Sequence, residues 1–124
     1  MASINFSFNI KPGMNLEFMQ SIGSIIIEIR NLEGCGGIDF TQDPQDTDRF
    51  SLLLNGNNRK FIDKFLDSEE YNYLEGAIAV LCKPPTVEVT IGNRIMRSDP
   101  ETNRNTSLKK RIMSELKHNL HVGD

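Results

Sequence analysis

The chain has 124 residues, of which 38% are hydrophobic and 25% charged, a composition typical of one folded domain with a single core. No apolar run approaches the roughly 20 residues that span a bilayer, and the N-terminus lacks the regions of a signal peptide. We therefore expect a cytoplasmic protein without a membrane segment. Residues 1–93 hold 7 Lys or Arg against 13 Asp or Glu, whereas residues 94–124 hold 7 against 4. A nucleic-acid role is not expected, because the acidic part repels phosphate and the basic end has no aromatic residue for base stacking.

Alternating apolar and polar residues predict a first strand over residues 3–10. Asn15 is then predicted to cap a helix that runs to about Leu32, since its apolar residues recur at helical spacing. Three successive isoleucines leave a strand over residues 24–30 as the alternative, because β-branching lowers helix propensity. The amphipathic turns before them favour the helix.

The remaining elements follow from alternation, turn residues and caps. The pattern predicts, in order, a strand over residues 36–42, a polar turn, a strand over 49–55, a helix from 58 that is interrupted at Asp67-Ser68 and ends before Pro84, and a strand over 86–92. Residues 96–105 are predicted to be a polar linker and residues 106–120 a terminal helix.

This strand-helix-strand-strand-helix-strand order predicts an α+β fold of the ferredoxin-like type. One four-stranded antiparallel sheet is expected to carry the helices on its apolar face and to leave its polar face open. We expect a ferredoxin-like domain over residues 1–93 and a basic extension, a linker with a helix, over residues 94–124.

Several short motifs, in this order and spacing, are shared with a known family. They are Lys11-Pro12-Gly13, Leu32-Glu33-Gly34-Cys35, Asp43-Pro44 with Arg49-Phe50, Phe65-Leu66-Asp67-Ser68-Glu69, Gly76-Ala77 and Pro84-Pro85-Thr86-Val87-Glu88. In these the chain resembles the antibiotic biosynthesis monooxygenases, a group that includes quinol monooxygenases and haem-degrading enzymes. The resemblance implies a homodimeric α/β barrel in which two sheets pack face to face. It also implies a pocket between helices and sheet where small aromatic or quinol-like substrates react with O2, without a metal or organic cofactor.

Two positions depart from the family pattern. Many members carry a Trp at the end of the third strand, where this chain has Asn55-Gly56, and a His on the following helix, where it has Phe65 or, with a one-residue shift, Lys64. Trp is absent from the chain, and both histidines lie beyond the matched region. Haem degradation is therefore not expected.

The candidate pocket residues are aromatic or amide side chains near the helices and the first strand. They are Asn9, Phe61, Phe65, Tyr71 and Tyr73. The phenylalanines also fall where a packed core needs them, so core packing is the competing interpretation. A buried phenol requires a hydrogen-bond partner, which makes the tyrosines candidates for orienting a substrate. No catalytic residue is assigned.

Three other pairs of residues are candidates for chemistry. Asp39 and Glu88 on the polar sheet face suggest either a proton-transfer pair or hydrogen bonds across an interface. His118 and His121 have the spacing of a shared helix face, but a solvated tail is expected rather than a zinc site, and no metal is expected elsewhere. The two cysteines are too few for a disulfide framework; Cys82 is expected in the core, and Cys35 lies in a glycine-rich turn.

Two functions follow from these features. The first is a cofactor-independent monooxygenase that binds a small aromatic or quinol-like ligand. The alternative is a non-enzymatic ligand-binding or assembly module on the same dimeric fold, because one fold hosts unrelated functions.

Overall fold

The computed structural model describes residues 1–99 and 108–120, with the side chains of the last segment described through Lys117. The elements follow in the order β1 (Ala2–Asn9), α1 (Asn15–Arg30), β2 (Cys35–Gln42), β3 (Arg49–Gly56), α2 (Arg59–Leu66), α3 (Glu69–Leu81), β4 (Thr86–Ile91), β5 (Arg94–Ser98) and α4 (Leu108–Leu120). The strands form one antiparallel sheet in the order β2-β3-β1-β4-β5. Its first four strands have the ferredoxin-like arrangement, so the predicted α+β fold is confirmed.

The central strand β1 divides the sheet into an apolar and a polar face. Ile4 of β1 lies opposite Leu54 of β3 and Val89 of β4, and all three side chains are buried against the helices. The alternate residues of β1 are half-buried on the other face, and these are Ser3, Asn5, Ser7 and Asn9. The predicted core face and open polar face are therefore both present.

The helices begin where their capping residues place them, with one exception. The side chain of Asn58 accepts a hydrogen bond from the backbone N–H of Phe61, and Ser68 accepts one from that of Tyr71, which separates α2 from α3. The predicted cap at Asn15 is wrong. No side chain caps α1, and the Asn15 amide donates instead to Asp48 at 3.2 Å.

The isoleucine-rich segment is helical, as the amphipathic pattern favoured, and Ile22 and Ile29 face the core from α1. The strand alternative over residues 24–30 is therefore wrong. Packing of the amphipathic face outweighs the small propensity cost of the β-branched residues.

A fifth strand replaces the first residues of the predicted linker. Gly92 adopts a φ of 59° and, with Asn93, forms a two-residue turn that returns the chain antiparallel to β4. Met96 of β5 lies opposite Val89 and is buried. The polar linker predicted from residue 96 is thus wrong over residues 96–98, which belong to the sheet.

Replacement of Gly56 by alanine is expected to destabilise the protein by about 1–3 kcal/mol, because a core without free space is overpacked. An added Cβ would lie 2.6 Å from Cγ and 2.8 Å from Cβ of Phe61. The matched control is Gly76→Ala in α3, where a Cβ meets nothing within 4 Å. That change is expected to stabilise the helix by about 0.5–1 kcal/mol. Urea unfolding of both variants measures the difference, and equal stabilities would contradict the close packing at Gly56.

Candidate functional site

Four rings lie together between the sheet and the helices α2 and α3. Phe65 packs edge-on against Tyr71, with ring centroids 5.4 Å apart, and stacks on Phe61 at 6.4 Å. Phe6 of β1 lies 6.4 Å from both Phe65 and Tyr71. We call these four residues the inner aromatic cluster. A second group, formed by Phe8, Phe18, Phe40 and Phe50, packs elsewhere in the core.

Two glycines create the space that Phe61 occupies. A side chain on Gly56, at the end of β3, would collide with the Phe61 ring, and a Cβ on Gly34 would lie 3.3 Å from its Cδ1 atom. Gly34 also has a φ of 90°, which glycine adopts without strain. The Phe61 ring therefore packs against the end of β3 and the turn before β2.

Tyr71 brings a polar group into the aromatic cluster. Its side chain is fully buried, and its hydroxyl donates a hydrogen bond to Glu75 Oε1 at 2.9 Å. The backbone N–H of Lys109, in the first turn of α4, donates to the same oxygen at 2.7 Å. One carboxylate oxygen thus joins the aromatic cluster to the terminal helix.

The environment of Tyr71 keeps its phenol neutral. Burial, followed by the negative charge of Glu75 and the hydrogen bond to it, raises the pKa of Tyr71 far above its usual value. At neutral pH the Tyr71 hydroxyl is therefore a hydrogen-bond donor and not a base. Glu75 is the acceptor of the pair.

The five predicted pocket residues do not all meet. Phe61, Phe65 and Tyr71 lie in the inner aromatic cluster, whereas Tyr73 is 63% exposed on the outer side of α3. Asn9 belongs to the polar face of β1, and its amide donates to Asp46 at 3.3 Å. The structure therefore brings three of the five residues together.

The polar face carries a row of residues that crosses all five strands. In register, this row is Asp39, Leu53, Asn5, Glu88 and Arg97. Asp39 and Glu88 stand three strand spacings apart, about 14 Å. They are too distant for direct proton transfer, so the proton-transfer pair is wrong.

The two cysteines contribute little to this site. Cys82 is a buried core residue, as expected, and burial raises its pKa to about 11, which keeps the thiol protonated. Cys35 is half-buried and free. The His118 side chain and His121 lie outside the described part of the chain, and among the described residues no group of three metal-ligating side chains is found.

Glu75 was missed by the sequence analysis. It lies four residues after Tyr71 in a predicted helix, a spacing that places the two side chains on one face. The hydrogen bond between them could therefore have been predicted from the sequence. The hydrogen bond between Glu75 and the Lys109 backbone could not have been predicted in this way, because 34 residues separate them along the chain.

No protein-family model matches the chain, and a search of curated proteins also finds no match. Solved structures do match. A candidate antibiotic biosynthesis monooxygenase from Nitrosomonas europaea is 17% identical with a TM-score of 0.68, and the match covers 76% of this chain and 100% of that one. A second structure, described as an antibiotic biosynthesis monooxygenase, is also 17% identical and has a TM-score of 0.67. That match covers 76% of this chain and 100% of the other. A candidate antibiotic biosynthesis monooxygenase from Deinococcus radiodurans is 12% identical and has a TM-score of 0.67. That match covers 76% of this chain and 94% of the other.

The chain therefore has an antibiotic biosynthesis monooxygenase-like fold, as the sequence motifs indicated. Identities this low establish the fold alone, and the reaction needs separate arguments. About a quarter of this chain has no counterpart in these structures, although they are covered over nearly their whole length. Among the described residues, no helix has the length and apolarity needed to span a membrane.

Replacement of Tyr71 by phenylalanine is expected to cost about 1–2 kcal/mol of stability, because it removes a buried hydrogen bond to a charged acceptor. The control is Tyr73→Phe, whose exposed hydroxyl is expected to matter by less than about 0.5 kcal/mol. Urea unfolding, monitored by circular dichroism, compares the two. Equal stabilities would show that the bond to Glu75 contributes nothing.

Proposed function

We propose that the protein is a cofactor-independent monooxygenase acting on small, electron-rich aromatic or quinol-like substrates. The observation that carries this proposal is its structural similarity to several antibiotic biosynthesis monooxygenases over nearly their entire length. The inner aromatic cluster supports it, since aromatic faces and edges suit a flat aromatic ligand.

The proposed reaction takes its electrons from the substrate. One C–H group of the quinol ring becomes C–OH with one oxygen atom of O2, the two ring hydroxyls become carbonyls, and the second oxygen atom leaves with their two hydrogens as water. This four-electron oxidation balances with substrate and O2 alone. The protein contributes to this reaction by excluding water and by holding the substrate anion in one orientation. Glu75 accepts a hydrogen bond from a second substrate hydroxyl, while Tyr71 holds the Glu75 carboxylate in place.

Oxygen uptake tests the proposed reaction directly. With a panel of hydroquinones, we expect enzyme-dependent O2 consumption at one O2 per product, and no turnover without oxygen. Tyr71→Phe should lower kcat/KM about tenfold, which corresponds to about 1.4 kcal/mol of lost orientation. Equal aerobic and anaerobic rates, or an absence of turnover across the panel, would overturn the proposal.

One observation favours the alternative of a non-enzymatic module. Phe61, Phe65 and Tyr71 are almost completely buried, and the Tyr71 hydroxyl already has a partner within the chain. The chain's own side chains thus fill the space between helices and sheet. A thermal-shift screen separates the cases, because a ligand that stabilises the protein but does not consume O2 supports binding without catalysis.

We also propose that two copies associate through their polar sheet faces. Leu53 supports this, because it is an apolar residue at the centre of that face, between Asn5 and Asp39. Sheets that pack face to face stand about 10 Å apart, which leaves room for these side chains and bridging water. Polar residues buried in such an interface need partners across it.

Replacement of Leu53 by aspartate is expected to convert the dimer to a monomer, because it puts an unpaired charge at the centre of the interface. Ile27→Asp is the matched control, since Ile27 is exposed on α1, away from the sheet. Sedimentation velocity gives the mass of each variant. A dimer that survives Leu53→Asp, or a monomeric parent protein, would contradict the assembly.

A further inference from the structure

Two opposite charges flank the central strand on the polar face of the sheet. Asp39 lies on the edge strand β2 and Arg97 on the opposite edge strand β5, and both side chains are exposed. They belong to one row, since the register joins them through Leu53, Asn5 and Glu88. Each stands two strand spacings, about 10 Å, from β1. Because β1 is the middle strand of the five, the two charges are placed symmetrically about it.

The neighbouring row combines a protruding side chain with open space. In register, this row is Gly37, Asn55, Ser3, Thr90 and Ile95. Ile95 of β5 is an apolar residue that is 66% exposed. Gly37 of β2 lies at the other end of the row, and a Cβ added there would meet nothing within 4 Å. The bulk and the open space are therefore also placed symmetrically about β1.

This arrangement discriminates between two ways of pairing two copies face to face. Homodimers have a two-fold axis, and sheets that pack aligned, within about 30°, allow that axis to run along the strands or across them. An axis across the strands places β2 over β2 and β5 over β5, which brings like charges together. An axis along β1 places β2 over β5 of the second copy and each row over itself. Asp39 then faces Arg97, and Gly37 faces Ile95.

We propose that two copies associate about a two-fold axis along β1, so that Arg97 of each copy pairs with Asp39 of the other and Ile95 of each copy covers Gly37 of the other. This inference rests on the proposed association through the polar sheet faces, and it adds the orientation of the copies and the contacts between them. The symmetry produces each contact twice. Opposite charges that face each other across an interface favour one orientation over the other.

The interactions of Arg97 and Asp39 within one chain are compatible with this pairing. Arg97 Nε donates to Asp99 at 2.9 Å in an ion pair that is exposed on both sides, and such pairs contribute little free energy. The guanidinium group has further N–H donors for a second carboxylate. In its own chain, Asp39 has the apolar Leu53 as its register neighbour on β3. The long Arg97 side chain extends into the gap of about 10 Å between packed sheets.

Charge reversal followed by mixing tests the direction of the axis. Asp39→Arg and Arg97→Asp should each weaken their own homodimer at least about tenfold, because like charges then face each other twice. A mixture of the two variants should form a heterodimer with a Kd within about threefold of the parent value, since every charge in it faces an opposite charge. Arg97→Asp also places a carboxylate near Glu88 and Asp99 of its own chain. That effect is the same in the homodimer and the heterodimer, so their difference reports the interface.

Two variants on the helices are matched controls for this experiment. Glu28→Arg on α1 and Lys60→Asp on α2 change the net charge by the same amounts at exposed positions away from the polar face. Neither should change the Kd, and their mixture should contain heterodimers only at the random proportion. Sedimentation equilibrium gives each Kd. Native mass spectrometry counts homodimers and heterodimers, because the variants differ in mass.

Replacement of Ile95 by alanine tests the second contact. It should weaken the dimer at least about fivefold, because less apolar surface is buried at two symmetric places. Ile27→Ala is the matched control, since Ile27 is a similarly exposed isoleucine, at 59%, on α1. That change should leave the Kd unaltered. Equal Kd values for the two variants would show that β5 does not enter the interface, and the proposed contacts would be overturned.

The outcomes of mixing separate the axis from the association itself. A dimeric parent whose two charge-reversed variants show no preference for each other overturns the axis and leaves the association in place. If Asp39→Arg instead prefers the parent chain to Arg97→Asp, the axis runs across the strands and the proposal is wrong. A monomeric parent overturns the association and the axis together. These measurements need no substrate, so their result does not depend on the proposed reaction.

Discussion

The fold depends on the register of β1 between its two antiparallel neighbours. Ile4 lies opposite Leu54 and Val89, so one alternating set of side chains on three strands points to the helices. A slip of one residue would place Ser3 and Asn5 in the core and expose the apolar set. The large burial of isoleucine and phenylalanine on this strand resists such a slip, and the positions of α1, α2 and α3 follow from the face that results.

This constraint divides the chemistry of the protein between two faces. The apolar face is closed by helices and contains the buried phenol of Tyr71, paired with the half-buried carboxylate of Glu75 at the edge of the aromatic cluster. The polar face is open, and on it Leu53 and Glu88 lie on either side of Asn5 of the central strand. A reaction that needs dry surroundings fits the first face, and association of two copies fits the second. The two proposed roles therefore do not compete for the same residues.

Much of the fold was predictable because it depends on local patterns. Alternation located β1 to β4, and the caps at Asn58 and Ser68 located α2 and α3. The strand β5 was missed because its five residues are largely polar, although the turn at Gly92 was a detectable signal. The predicted pocket set was incomplete because the direction of a helical side chain depends on tertiary packing. Tyr71 and Tyr73 are two positions apart in α3, and therefore face opposite ways.

The filled space around Phe61 has a thermodynamic consequence for any ligand of this interior. Gly34 and Gly56 admit the Phe61 ring in place of a larger side chain on the sheet, so the site is occupied by the protein itself. A ligand must first displace a core ring, and its apparent affinity is reduced in proportion to the populated fraction of the open state. An opening that costs about 1.4 kcal/mol weakens binding about tenfold. Anything that holds this interior open would therefore increase ligand affinity without touching the ligand, and by linkage the ligand would hold the interior open to the same degree.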